Sequence, residues 1–185
     1  GYRSVSVAGV GRNTEIVGAA AANMAVQSTR FDQWGNATSF IDFNGNRHCL
    51  AYLGARRLET RRIEGVPGEL DCASAPSSLG GVARVTSTEW HPLFRLPTRI
   101  AQPKRITTLV YDLSGAECGA RGALCTLTMQ ATTDATGAAG FGATPEGAAR
   151  VRTFTYDARG QVLTIDRPRA DAPDITRFEY DAQGN

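Results

Sequence analysis

The chain has 185 residues, 42% of them hydrophobic, with 20 basic and 18 acidic side chains and a net charge of +2 at pH 7. This length supports one sizeable hydrophobic core. The near-balanced charge, with its arginines scattered along the chain, argues against a nucleic-acid-binding surface. No apolar run approaches the roughly 20 residues that a membrane-spanning helix needs.

The N-terminal part of the chain predicts strands and turns. Alternating residues predict strands over 4–10 and 14–17. Residues 18–26 are rich in alanine, which favours a helix, but they have no polar face, and we favour a degenerate turn there. Two or three hairpins are expected over 27–64. The stretch at 65–82, rich in Gly, Pro and Ser, is expected to be a loop.

Strands are predicted again from residues 82–86 onward. Between residues 93 and 106, Pro97 and Pro103 restrict strands to short segments or to sheet edges. Further strands are expected over 107–112 and 124–132, followed by a loop rich in Gly and Ala over 134–149. We see no separate domains, so residues 1–185 are treated as one region with discontinuities near 65–82 and 134–149.

A short phrase recurs along the chain. It reads Phe-Thr-Tyr-Asp-Ala-Arg-Gly-Gln at 154–161 and Phe-Glu-Tyr-Asp-Ala-Gln-Gly-Asn at 178–185, with looser copies at 31–36, 41–46 and 110–115. In each copy the Asp carboxylate can accept backbone N–H groups, and the Gly three positions later suits a left-handed turn residue. The pattern predicts an all-β fold of repeated antiparallel β-hairpins. The predicted turn residues are Asp32, Gly35, Asp42, Gly45, Asp112, Gly115, Asp157, Gly160, Asp181 and Gly184.

The Tyr-Asp-x-x-Gly-Asn/Gln phrase resembles the YD repeat of bacterial Rhs proteins, which toxin-complex components and teneurins also contain. The match covers residues 27–64 and 90–185 and includes the connector at 90–98. The resemblance implies a ribbon of antiparallel hairpins that curves into a hollow shell, commonly around a C-terminal toxin domain.

The chain departs from that family in two places. At residues 51–54 the expected Asp is Leu53, so this turn lacks its side-chain acceptor. The conserved C-terminal core region and its Asp-Pro-x-Gly cleavage phrase are absent, so neither self-cleavage nor a toxin is carried over. Because the chain stops inside the turn of its last repeat, we expect a fragment of a longer bacterial polypeptide that is secreted or displayed on the cell surface.

Four cysteines allow several interpretations. Cys118 and Cys125 flank a turn-rich segment. They either form a disulfide that closes a hairpin loop, which would fit a secreted protein, or remain two unpaired small hydrophobic residues. Cys49 lies in a predicted strand and is expected to be a buried free thiol. Cys72 lies in a loop and is left unassigned. Zinc is not expected, because the sequence has no C-x-x-C pair and only two histidines.

No catalytic, cofactor-binding or metal-binding residue is predicted, and we expect the chain not to be an enzyme. For His48 and His91, a structural role is favoured because no positioned partner is evident for either ring. The repeat Asp residues lack the neighbouring oxygen ligands that calcium requires. The sequence also has no P-loop, dinucleotide-binding or nucleophile-elbow motif.

Two functions fit these observations. The first is a scaffold, a wall segment of a shell that encloses a toxin or effector domain of the parent polypeptide. Its partners would be neighbouring repeats and that domain, and its sheet edges could also pair with copies of itself. The alternative is a surface-exposed or secreted adhesion module whose exposed aromatic residues, such as Trp34 and Trp90, contact glycans or another cell. We favour the scaffold because Tyr and Phe recur at fixed repeat positions, as they do in cross-strand packing ladders.

Overall fold

The computed structural model describes residues 15–17, 28–42, 44–72, 83–167 and 174–185. The predicted strand at 4–10 and the turn or helix at 18–26 lie outside these residues. No helix within the described residues is long and apolar enough to cross a membrane.

The described residues form one antiparallel sheet of 12 strands in which every strand pairs only with its neighbours in sequence. This confirms the predicted all-β architecture of consecutive hairpins. Helical structure among these residues consists of two 3-10 turns, Gly54–Arg56 and Gly140–Gly142. The strands are β1 (Glu15–Val17), β2 (Ser28–Phe31), β3 (Ala37–Ile41), β4 (Asn46–Leu53), β5 (Leu58–Pro67), β6 (Arg84–Trp90), β7 (Pro97–Gln102), β8 (Arg105–Tyr111), β9 (Leu124–Ala131), β10 (Arg150–Tyr156), β11 (Val162–Arg167) and β12 (Asp174–Arg177).

The strand sequences explain this arrangement. Strands β8, β9 and β10 are rich in Thr, Val, Leu and Ile, which favour extended backbone. Threonines lie opposite one another on adjacent strands, as in the pair Thr108 and Thr128 and the pair Thr155 and Thr164. In the second pair the two Oγ1 atoms are 2.6 Å apart, so a hydroxyl hydrogen bond joins the strands.

Strand β7 shows how the chain accommodates its prolines. Pro97 is the first residue of this six-residue strand, and Pro103 lies in the short turn to β8. The prolines predicted either a short strand or a strand at the edge of the sheet. The strand is short, and it lies between β6 and β8 in the interior of the sheet. A proline at the first position of an interior strand is tolerated because the missing N–H removes little of the ladder.

A compact hydrophobic core lies on one face of β4, β5 and β6. It consists of Cys49, Ile63, Val66, Ala83 and Val85, and Val66 is fully buried. Register places Cys49, Ile63 and Val85 side by side on three adjacent strands. Burial of a valine side chain contributes about 1.5–3 kcal/mol, so this small cluster is a main source of stability.

Two segments cover this core. After β5 the chain turns at Pro67, whose carbonyl accepts the N–H of Leu70, and Leu70 and Cys72 pack on the cluster. The loop between β9 and β10 contributes Ala138 to the same cluster. This loop is docked through backbone hydrogen bonds, since the N–H of Val85 donates to the carbonyl of Thr136 over 2.8 Å. The Gly- and Ala-rich segment predicted as a loop is therefore part of the core's cover.

The prediction of a free thiol at Cys49 is wrong. Cys49 forms a disulfide with Cys72, with their Cα atoms 5.5 Å apart. The two residues are 23 positions apart in sequence and meet because the chain reverses after β5 and crosses β4. A sequence pattern contains no information on this reversal, so the approach of the two thiols could not be inferred from spacing.

We predict that the Cys49–Cys72 disulfide stabilises the chain more than the Cys118–Cys125 disulfide does. The sequence separations are 23 and 7 residues, and a longer closed loop loses more entropy in the unfolded chain. Replacement of Cys49 and Cys72 by Ala should lower the free energy of unfolding by about 3 kcal/mol. Replacement of Cys118 and Cys125 by Ala should lower it too, but the loss should be smaller by about 1 kcal/mol. Urea denaturation of the oxidised proteins measures both values. An equal or larger loss for the second pair would contradict this explanation.

Candidate functional site

The repeated turn is the structural unit on which any function of this chain depends. Four of the predicted turns, beginning at Asp32, Asp42, Asp157 and Asp181, share one hydrogen-bond pattern. The Asp N–H donates to the carbonyl four residues later, and the Gly N–H donates back to the Asp carbonyl, over 2.9–3.1 Å. The Asp Oδ1 accepts the N–H groups two and four residues later, over 2.8–3.0 Å. Backbone and side chain therefore close the same turn together.

The glycine in this turn adopts a left-handed conformation. Its φ is +81° at Gly35 and Gly45, +84° at Gly160 and +90° at Gly184. A Cβ added at Gly160 would meet open space, so the conformation and not crowding is the reason for glycine.

The last position of the turn explains the preference for Asn. In three turns the Asn amide donates to Oδ2 of the Asp that begins the turn: Asn36 over 2.7 Å, and Asn46 and Asn185 over 3.3 Å. At Gln161 the longer side chain donates instead to the carbonyl of Gly184 over 3.2 Å. This bond joins the turn after β10 to the turn after β12, so neighbouring repeats are linked at their turns.

The hydrogen bonds of two of these turns stabilise the charged carboxylate that begins the turn. The N–H of Asn46 is the main cause of a lowered pKa at Asp42, against a smaller opposing effect of desolvation. The backbone N–H and the side-chain amide of Asn185 lower the pKa of Asp181 in the same way. In these two turns the hydrogen bonds therefore favour the ionised carboxylate.

An aromatic side chain before the turn bonds to the preceding strand. The hydroxyl of Tyr156 donates to the carbonyl of Leu124, and that of Tyr180 to the carbonyl of Val162, each over 2.9 Å. The indole Nε1 of Trp90 donates to the carbonyl of Glu59 over 2.8 Å. In all three cases the acceptor lies at the start of the preceding strand. We call these three bonds the aromatic rungs. They give a physical reason for Tyr directly before Asp in the repeated phrase.

The turn at Asp112 differs from the other four. Its N–H donates to the carbonyl of Ala123 over 2.9 Å, so the phrase at 110–115 opens a longer loop and not a short turn. The carboxylate is fully buried and accepts the N–H groups of four residues: Ser114, Gly115, Glu117 and Cys118. The bond from Cys118, with those from the other three, holds the pKa of Asp112 well below its usual range, despite the opposing effect of burial.

The structure places Cys118 and Cys125 in a disulfide that closes this loop, with Cα atoms 5.6 Å apart. The carbonyl of Cys118 accepts the N–H of Tyr156 over 2.7 Å, so the closed loop is docked on the end of β10. The described residues contain one group of three side chains that could together bind a metal ion: Asp112, Cys118 and Cys125. Their sulfur and carboxylate oxygen atoms lie within 4.8 Å of one another. With both sulfurs in a disulfide and the carboxylate accepting N–H groups, the three residues form a structural cluster.

Sequence reasoning missed a second aspartate whose carboxylate caps a longer loop. The carboxylate of Asp134 accepts the N–H groups of Thr136, Gly137 and Ala139 over 2.9–3.1 Å. The signal that could have found it is Asp-x-Ser/Thr-Gly, which Asp134 shares with Asp112 and which the four short turns lack. In both loops the hydroxyl, that of Thr136 or Ser114, bonds to the carboxylate and accepts the N–H two residues later.

The turn without its Asp is closed in another way. Gly54–Arg56 form a 3-10 turn after Leu53, and Arg57 follows with a left-handed φ of +53°. The guanidinium of Arg56 donates to the carbonyls of His91 and Phe94, over 2.8 and 2.7 Å. These bonds tie the β4–β5 turn to the β6–β7 turn.

Both histidines make structural contacts. The ring of His48 is stacked on Phe40 at 4.4 Å, and its Nε2 lies 3.3 Å from Oδ2 of Asp42. The Nδ1 atom of His91 accepts the N–H groups of Leu93 and Phe94 over 3.1 Å. Each ring therefore supports a turn.

Comparison with known proteins gives a likeness in fold. No protein-family model matches the chain, and no curated protein matches its sequence. The structure is similar to the crystal structure of TcdB2-TccC3-TEV, with a TM-score of 0.61 and 16% identity over 89% of this chain. It is also similar to that of TcdB2-TccC3-Cdc42, with a TM-score of 0.60 and 17% identity over 88% of this chain. The chain spans 8% of the length of either matched chain. At this identity the likeness establishes a shared fold.

We predict that Gly160→Ala lowers the free energy of unfolding by about 1 kcal/mol and that Gly160→Val lowers it further, because both residues strain a left-handed turn. Gly142→Ala is the matched control, since a Cβ there also meets open space but the backbone is not left-handed. It should change stability by less than about 0.5 kcal/mol. Urea denaturation measures all three variants. Equal losses at Gly160 and Gly142 would contradict the turn mechanism.

We predict that Asp112→Asn makes stability less dependent on acid pH. The folded pKa of Asp112 is lowered, so its stabilising effect is present above the unfolded pKa of about 3.9 and is lost as pH falls toward the folded pKa. Unfolding free energies measured between pH 7 and pH 3 should fall less steeply in this variant than in the wild type. Asp166→Asn is the control, because that carboxylate accepts no hydrogen bond from the described residues. A wild-type slope in Asp112→Asn would refute the assignment.

Proposed function

We propose that this chain is a wall segment of an Rhs-type shell that encloses a toxin or effector domain encoded elsewhere in its parent polypeptide. The observation that carries the proposal is the strand order. Among the described residues, twelve strands follow one another in sequence order, and each strand pairs only with its neighbours in sequence. Such a sheet can be lengthened by adding hairpins, which is the property that a repeat-built wall requires.

Two further observations support the proposal. The repeated phrase resembles the YD repeat, and the fold is similar to that of the TcdB2-TccC3 chains. Because this chain spans 8% of each of those chains, it corresponds in size to one part of a much longer polypeptide.

The orientation of the aromatic side chains favours a wall over an adhesion surface. The polar atoms of Trp90, Tyr156 and Tyr180 are used in the aromatic rungs, so these rings join strands. Trp34 is 40% exposed, but no other ring of the described residues stacks on it. A glycan platform is typically a patch of exposed coplanar rings, and the wall is therefore the better-supported function.

The proposal includes export and a lack of catalysis by this segment. Two disulfides fit an oxidising compartment outside the bacterial cytoplasm. The contacts of His48 and His91 are made to ring, carboxylate and backbone atoms that shape turns, which supports a structural role for both.

The edge of β12 indicates how the wall continues. This strand pairs with β11 alone within the described residues, so its outer N–H and C=O groups can accept another strand. We propose that the next hairpin of the parent polypeptide occupies this edge. In the isolated chain a second copy could pair there instead.

We predict that the enclosed domain resists protease in the complete polypeptide. Trypsin should cut the isolated effector domain much faster than the same domain within the parent, because a closed wall excludes the enzyme. Mass spectrometry of the fragments measures both rates. Gly160→Val in the parent should speed the cleavage by loosening a hairpin, and Gly142→Ala should not. Equal cleavage of the free and the parent-bound domain would refute the shell function.

A further inference from the structure

A cavity with a basic lining lies at the end of the sheet where β8, β9 and β10 meet the β9–β10 loop. Its volume is about 460 Å³, which is within the range of small-molecule sites. Three cationic side chains line it: Lys104, Arg105 and Arg150. Glu146 is the one acidic residue in its lining, so the cavity carries an excess of positive charge.

These cations are available to a ligand. Lys104 and Arg150 make no side-chain hydrogen bond or ion pair within the described residues, and Arg105 donates to the side-chain oxygen of Gln102 over 2.6 Å. Elsewhere in the sheet, arginines such as Arg62 and Arg99 are paired with glutamates. The three cations of the cavity have no such carboxylate partner among the described residues.

The backbone holds Lys104 in an unusual conformation. It is the only lysine of the sequence, and its φ is +64°, a left-handed value that glycine adopts at lower cost. The conformation is fixed by the β9–β10 loop, since the N–H of Lys104 donates to the carbonyl of Asp134 and its carbonyl accepts the N–H of Thr132. Lys104 is the second residue of the two-residue turn between β7 and β8, where a left-handed residue after proline is usual, so its position at the cavity rim is fixed.

Backbone N–H groups beside the cavity are also available as donors. The segment that carries them is held by the side-chain amide of Gln130, which donates to the carbonyls of Ala131, Glu146 and Gly147 over 2.9–3.2 Å. The N–H groups of Gly147 and Ala148, which also line the cavity, have no acceptor among the described residues. Free backbone N–H groups next to cations are a common arrangement for anion binding.

We propose that this cavity binds the phosphate group of a small phosphorylated sugar. Arg105 and Arg150 suit the bidentate geometry of phosphate oxygens, and Lys104 supplies a further point charge. The carboxylate of Glu146 would repel a bare anion but accepts hydrogen bonds from sugar hydroxyl groups. Met129 and Ala131 provide an apolar wall for the body of the ligand.

Titration of the 185-residue chain with glucose 6-phosphate, followed by the amide ¹H–¹⁵N shifts of Ala131, Gly147 and Ala148, tests the proposal. Saturable shifts are expected with glucose 6-phosphate and none with glucose. Lys104→Gln and Arg150→Gln should each weaken binding about tenfold, the loss of one charge-assisted contact. These side chains are exposed, so the fold should be kept, which circular dichroism can verify.

Arg159→Gln is the matched control, because it removes an exposed arginine in a turn outside the cavity. Its affinity for glucose 6-phosphate should equal that of the wild type. Absence of saturable shifts, equal shifts with glucose, or an equal loss in Arg159→Gln would each overturn the proposal.

Discussion

The hydrogen bonds between an Asp carboxylate and the backbone of its own turn are the interaction on which this structure depends. Asp32, Asp42, Asp157 and Asp181 each accept two N–H groups, and each turn also has two backbone hydrogen bonds. Because a turn fixes the register of its hairpin, every side chain of the two strands is assigned to a face by this local geometry. A long sheet can therefore form from hairpins that are each specified locally.

Local turns do not stabilise a single-layer sheet by themselves. Among the described residues, the buried hydrophobic cluster lies on β4, β5, β6 and the segments that cover them, and other buried hydrophobic residues, such as Ala101 in β7, lie outside it. Elsewhere the strands are held by the aromatic rungs, by the linked turns of Gln161 and Gly184, and by the Cys118–Cys125 disulfide. This distribution of contacts is compatible with the wall segment proposed above.

Sequence predicted the local features well and the non-local ones poorly. Strand alternation and the recurring phrase were sufficient for an antiparallel hairpin fold, because both are short-range properties. The pairing of Cys49 with Cys72, the docking of the β9–β10 loop on Val85, and the cavity around Lys104 depend on chain reversals that no spacing encodes. The phrase at Asp112 resembled the short turns, but its hydroxyl at Ser114 and its closing disulfide produce a different loop.

Amide hydrogen exchange within the turns tests the central claim most directly. In the turn that begins at Asp157, the N–H groups of Asp157, Arg159, Gly160 and Gln161 have acceptors, whereas that of Ala158 has none among the described residues. The turn that begins at Asp32 has the same pattern, and there the N–H of Gln33 is the one without an acceptor among the described residues. We predict slow exchange at the four bonded positions and fast exchange at Ala158 and Gln33. Equally fast exchange at all five positions of both turns would contradict the account.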